Sequence, residues 1–261
     1  MENEIIQKEE DQQDGGEKKG RDLDHTLEII VVVMLGITAL LTAWASWIGA
    51  LHGGNQATNY AESNNFASEG NSEYNAGVQG MMQDMLLWNE ISDLQIDIMF
   101  AQANDDELVL EQASNKLFYK LNDNLSDEMA TALGWDTENV SDDPTEAISQ
   151  WMENEKALVS PFTEDGFTDS YFEAANVLLT ESKTKLEEGQ KDNTNGDAFG
   201  LVTVVFGVVL FLLGIAGTIK SQKNRIVIIS ISLISFLMAT IYMFTLPLPT
   251  GFNIMSFFGQ G

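Results

Sequence analysis

The chain has 261 residues, no cysteine, two histidines and a formal net charge of −27, from 40 acidic and 13 basic residues. Without cysteine there is no disulfide framework and no thiolate chemistry, and His25 and His52 alone are too few for a zinc site. So acidic a chain lacks the cationic surface that displaces counterions, which excludes nucleic acid as a partner.

Residues 1–25 read as a disordered acidic tail. QKEEDQQDGGEKKGRDLD within it cannot bury enough apolar surface to offset chain entropy. The uncharged run Ile29 to Leu51 follows, and about 20 apolar residues suffice to cross a bilayer as a helix. Residues 27–51 are therefore assigned as the first transmembrane helix. The run exceeds the roughly 7–15 apolar residues of a signal peptide and is expected to remain as an anchor.

Two small-residue tracks run along this helix: Gly36, Ala39, Ala43, Ser46 and Ala50, and beside them Thr38, Thr42, Ala45 and Gly49. Ile37, Leu40, Trp44, Trp47 and Leu51 form a bulky track. Small residues let backbones approach in lipid, so packing is the simpler reading. The sharper one is a pore lined by the hydroxyls of Thr38, Thr42 and Ser46 in an oligomer. Trp44 and Trp47 fit an interfacial aromatic belt. His52 reads as an interfacial polar residue, with proton sensing as the lesser alternative.

Residues 52–197 are expected to form an acidic, helical extramembrane domain. They hold 30 Asp and Glu against 6 Lys and no Arg. The stretch HGGNQATNYAESNNFASEGNSEYNAGVQG has no proline and few large apolar residues, so the first helix is expected to run on as a stalk. Tyr60, Ala67 and Tyr74, seven apart, give it a coiled-coil spacing. Leu87, Ile91, Leu94 and Ile98 mark an amphipathic helix, with a turn at Asn104-Asp105-Asp106. A short helix is expected over Ser126 to Leu133. Another starts at Asp143-Pro144, carries Ile148, Trp151, Met152 and Leu158, and stops at Ser160-Pro161. A last one starts at Thr168-Asp169, with Tyr171, Phe172, Ala175, Leu178 and Leu179 as its stripe.

Two further apolar runs, Phe199 to Ile219 and Ile226 to Leu248, are assigned as transmembrane helices over 198–220 and 226–248. Gly207, Gly214 and Gly217 point to close packing against the third helix, and Ser230, Ser232 and Ser235 to hydrogen bonds between helices. Lys18, Lys19 and Arg21 precede the first span; Lys220, Lys223 and Arg225 fill the turn between the others. The positive-inside rule places the N-terminus and that turn in the cytoplasm and residues 52–197 outside, in a multi-pass cell-membrane protein. The fold class is all-α, with three transmembrane helices and a helical domain inserted between the first two.

Thr42-Ala43-Trp44-Ala45-Ser46, then Gly54-Asn55-Gln56-Ala57 and an Ala-, Glu- and Asn-rich run, resemble a large family of uncharacterised prokaryotic three-pass membrane proteins. That family has a Thr-Ala-Trp-Ser-like motif ending its first membrane helix and a Gly-Glu-Gln-Ala-like motif beyond it. Trp88, Trp151, Pro161-Phe162 and the closing hairpin around Val208-Val209-Leu210-Phe211 match as well. Asn55 departs from the pattern, where an acidic residue is usual. The resemblance implies this topology and compartment, and no catalytic residue.

No phosphate-binding glycine loop, Gly-x-Ser-x-Gly or cysteine nucleophile is present, so no enzyme and no cofactor is read. Asp105-Asp106, Asp136-x-Glu138 and Asp142-Asp143 are the best candidates for cations, with solvated carboxylates the simpler explanation. Glu28 stands alone at a membrane edge and the spans carry no charge, which disfavours coupled transport. Two functions remain. One is a membrane-anchored structural or interaction protein, homo-oligomeric, with lipid and an unidentified protein as partners. The other is a homo-oligomeric ion channel or membrane effector whose first helix lines the pore.

Overall fold

The computed structural model describes residues 24–252, and the assigned tail lies outside them but for its last two positions. Six α-helices and no strand occur among the described residues: α1 (Asp24–Ala103), α2 (Glu107–Asn124), α3 (Asp127–Leu133), α4 (Pro144–Met152), α5 (Glu173–Ala216) and α6 (Gln222–Thr245). Three of them, α1, α5 and α6, are long and apolar enough to cross a membrane. The chain forms two compact units. One takes residues 24–61 and 185–252; the other is Glu62–Thr184.

One correction concerns the inserted domain. Gly53 and Gly54 do not end α1, which runs unbroken to Ala103. No proline interrupts it, so every backbone N–H in this stretch has a carbonyl to bond. The helical region beyond Leu51 is therefore partly the N-terminal helix itself.

In the first unit, α1 and α5 pair antiparallel, with α6 beside them. The α5 face is Phe199, Val202, Phe206, Val209, Leu213 and Ala216, alternating by three and four, and all are buried. On α6 the face is Arg225, Ile229, Ser232, Phe236, Ala239 and Met243, with the same alternation. On α1 it is Val31, Thr38, Ala45, Ile48 and His52. Such a 3.5-residue repeat keeps one seam of each helix against its neighbours. Outer positions are apolar too: Val32, Leu40, Val204, Phe211, Met238 and Phe244 are all more than three-fifths exposed, as a lipid-facing surface requires. Arg225 is buried at the start of α6, with Nη1 3.9 Å from both Asp24 Oδ1 and Glu28 Oε1.

The glycine expectation fails here. A Cβ at Gly207 or Gly214 would meet nothing within 4 Å, because Phe206, Val209 and Leu213 fill the interface instead. Ser232 is buried but donates to Ile228 O of its own helix, and Ser230 is exposed.

The second unit wraps α2, α3 and α4 around the end of α1. Ile91 and Ile98 meet Leu117, Leu121, Met129, Leu133, Ile148 and Trp151 in one apolar core. Trp135 and Trp151 pack edge to face at 5.8 Å, and each indole N–H has an acceptor, Asn122 Oδ1 and Leu133 O. The caps follow local chemistry. Asp106, Ser126 and Asp143 accept from Val109 N, Met129 N and Thr145 N, and Gly134 closes α3 at φ 63°. The turn expected at Asn104-Asp105-Asp106 is present. α4 ends at Met152, short of Leu158, because Asn154 caps a separate 3₁₀ turn over Glu155–Leu158. α5 starts at Glu173, after a 3₁₀ segment over Phe167–Phe172.

Within this unit α1 also approaches α5 closely. A Cβ on Gly70 would stand 2.9 Å from Leu179, and one on Gly77 only 2.1 Å from Tyr171 O. Gly77→Ala must therefore push backbone apart, whereas Gly54 faces open space. In chemical denaturation, Gly77→Ala is expected to cost at least about 1–3 kcal/mol. Gly54→Ala should gain up to about 1 kcal/mol from helix propensity.

Candidate functional site

His52 lies on the inner face of α1 and is 1% exposed. By sequence it belongs at the interface; the structure buries it inside the first unit. Its Nδ1 is 2.8 Å from Asp192 Oδ1 on α5, and Asn59 Nδ2 donates to the other carboxylate oxygen at 3.1 Å. Its Nε2 is 3.1 Å from Pro247 O, just past the end of α6. The ring stacks on Phe199 at 5.8 Å, and its Cβ lies beside Gly196, where a methyl would stand 3.5 Å from it. Three chain segments thus meet on one imidazole.

The segment after α6 is held at two further places. Asn55 Nδ2 donates to Thr250 O at 3.1 Å. Phe252 packs edge-on against Trp44 at 6.1 Å and Trp47 at 5.7 Å, and the two indoles pack edge-on with each other at 5.4 Å. The residues read as an aromatic belt therefore pack against the chain that follows α6.

The proposed pore or packing residues do not share one face. Thr38 is buried and donates to Met34 O at 2.7 Å; Thr42, half-buried, donates to Thr38 O at 2.7 Å. Ser46 is exposed, with Gly36, Ala39, Ala43 and Ala50. The Thr38 track turns inward and the Ser46 track outward, because their positions lie on different sides of the helix.

The second unit has its own buried carboxylate. Asp84 is 6% exposed, and its Oδ2 accepts from Ser126 Oγ and Tyr171 Oη, both at 2.7 Å. Three segments are tied there: α1, the cap of α3 and the approach to α5. Burial, followed by the neighbouring Asp84, pushes the Tyr171 phenol well above its usual value.

The other acidic candidates are absorbed locally. Asp136 accepts from Asn139 Nδ2 and from Glu138 N, and these bonds hold its carboxyl below the usual range. Asp143 is the α4 cap, accepting from Thr145 N and Glu146 N. Among the described residues, no three His, Asp or Glu side chains are grouped so as to hold a metal ion.

Fold and seam define an all-α protein with three helices able to cross a membrane. No family model matches the chain, and neither a curated protein nor a solved structure was found similar to it.

His52 and Asp192 share one signal in the sequence, a seven-residue spacing. Thr38, Ala45, His52 and Asn59 are seven apart, and Asp192, Phe199, Phe206 and Leu213 are too. For Tyr171 the linkage has a definite sign. A phenol held protonated in the folded state loses stability as pH rises above the unfolded value of about 10. Unfolding titrations of the parent chain should show that alkaline loss, and Tyr171→Phe should flatten it while costing about 1.5–3 kcal/mol at neutral pH.

Proposed function

We propose that the chain is a membrane-anchored structural or interaction protein, without catalysis, that assembles as a homo-oligomer. The supporting observation is the outward track on α1. Gly36, Ala39, Ala43, Ser46 and Ala50 are exposed in the single chain, although small residues in lipid serve close helix contact. A second copy of α1 is the natural occupant of that face. Three inner polar side chains, by contrast, are already engaged within the chain: Thr38 with Met34 O, His52 with Asp192 and Ser232 with Ile228 O.

In this reading the N-terminus and the Lys220–Arg225 turn are cytoplasmic, following the basic residues on those segments. Residues 52–197 then lie outside the cell membrane, where their carboxylates concentrate cations and meet a protein partner. The resemblance to the three-pass prokaryotic family supports the same arrangement.

The channel reading keeps one favourable observation: Ser46 puts a hydroxyl on the outward track, where oligomer contact would enclose it. Thr38 and Thr42 add nothing to it, since both hydroxyls bond to carbonyls of their own helix.

Purified protein measured by mass in detergent and by ion flux in liposomes separates the readings. A defined oligomer in sealed vesicles is expected, shifted to monomer by Ala43→Leu or Ser46→Leu. Monomer in the parent chain would contradict self-association through this face. Selective flux abolished by Ser46→Leu, with the oligomer intact, would establish the channel.

A further inference from the structure

The hydrogen bonds of His52 count its protons. A backbone carbonyl only accepts, so Nε2 must carry hydrogen to bond Pro247 O at 3.1 Å. Between Nδ1 and Asp192 Oδ1 at 2.8 Å a second proton is needed, since a lone pair facing a carboxylate repels. With that proton on Nδ1 the pair is an N–H donor facing a carboxylate, the charge-assisted arrangement. Both bonds made at once therefore require the ring form with two N–H groups, beside an Asp192 carboxyl that also accepts from Asn59.

We propose that His52 is a proton-gated clasp for residues 246–252, which it holds against α1 when doubly protonated and frees when it loses one proton. The neutral ring has one N–H. It can keep Asp192 or Pro247, but not both. The bond to a carboxylate is the stronger, being charge-assisted. The remaining proton therefore stays on Nδ1, and the Nε2 lone pair then faces Pro247 O. The departing proton goes to water. What remains on the segment is the Asn55 to Thr250 bond, the Phe252 contacts with Trp44 and Trp47, and the apolar packing of Leu246 and buried Pro249.

Among the described residues, no other ionisable group competes for control. Between Glu28 and Glu62, α1 has only His52 and the Tyr60 phenol, which packs at Gly189. On α5 the neighbours Glu188, Lys191 and Asp197 are exposed. Beyond Arg225, α6 and residues 246–252 carry no acid or base apart from the Tyr242 phenol. Among the described residues, Asp192 alone faces the ring.

The native chain has no cysteine, so Leu248→Cys, at a half-exposed position, takes a single spin label. The label's mobile fraction should rise several-fold, reversibly, as pH is raised from about 5 to about 9. His52→Gln, which does not titrate, should remove the pH dependence. Nitrogen NMR of imidazole-labelled His25→Gln reads the ring without altering the site. It should show two N–H groups wherever the label is immobile and one wherever it is mobile. A label immobile throughout would overturn the proposal. So would the same mobility change in His52→Gln, or a neutral ring beside an immobile label.

Discussion

The structure depends on how closely α1, from Gly49 to Gly77, approaches α5 and the 3₁₀ segment before it, a stretch with few large apolar side chains. In the second unit Ser63 Oγ donates to Ser182 O and Ser182 Oγ donates to Ser63 O, each at 2.8 Å. Gly70 and Gly77 leave no room for a Cβ. In the first unit Gly49 faces Phe199 and the Gly196 carbonyl, Gly189 accommodates the Tyr60 ring, and His52 bonds Asp192. Large apolar side chains are few along this stretch, unlike the Phe199 to Leu213 seam. Bonds from side chain to backbone, and backbone contact itself, take their place.

That substitution has a chemical consequence. A polar seam must satisfy every donor and acceptor it buries, so each polar residue on it is tied to a specific partner. Asp84 gathers Ser126 and Tyr171; Asp192 gathers His52 and Asn59. The second of these pairs contains the one buried imidazole among the described residues, and through Pro247 it reaches the chain that leaves α6. A seam built for packing thereby acquires a group whose bonding capacity changes with its protonation.

Local chemistry was legible in the sequence, and facing was not. Ser126, Asp143-Pro144 and the Asn104-Asp105-Asp106 turn announce their caps and breaks, because each works within four residues of itself. Leu87, Ile91, Leu94 and Ile98 announce a core face by being apolar. On α1 near the membrane both tracks are small, and periodicity sets spacing but not direction. Only the partner helix decides that Thr38 turns in and Ser46 turns out. His52 escaped for a related reason: a polar residue at the end of an apolar run looks interfacial until Asp192, 140 positions away, is brought to it. The overlong reading of α4 has a local cause, since Asn154 caps a new turn within a stretch of good helix formers.

The pairing of α1 with α5 is tested most directly by Ser63→Cys combined with Ser182→Cys. The two hydroxyl oxygens are 3.2 Å apart, and the chain has no other cysteine to confuse the result. Pairing predicts a disulfide within one chain on mild oxidation, formed in high yield without loss of helicity. Free thiols persisting in folded protein, or crosslinks found solely between chains, would contradict it.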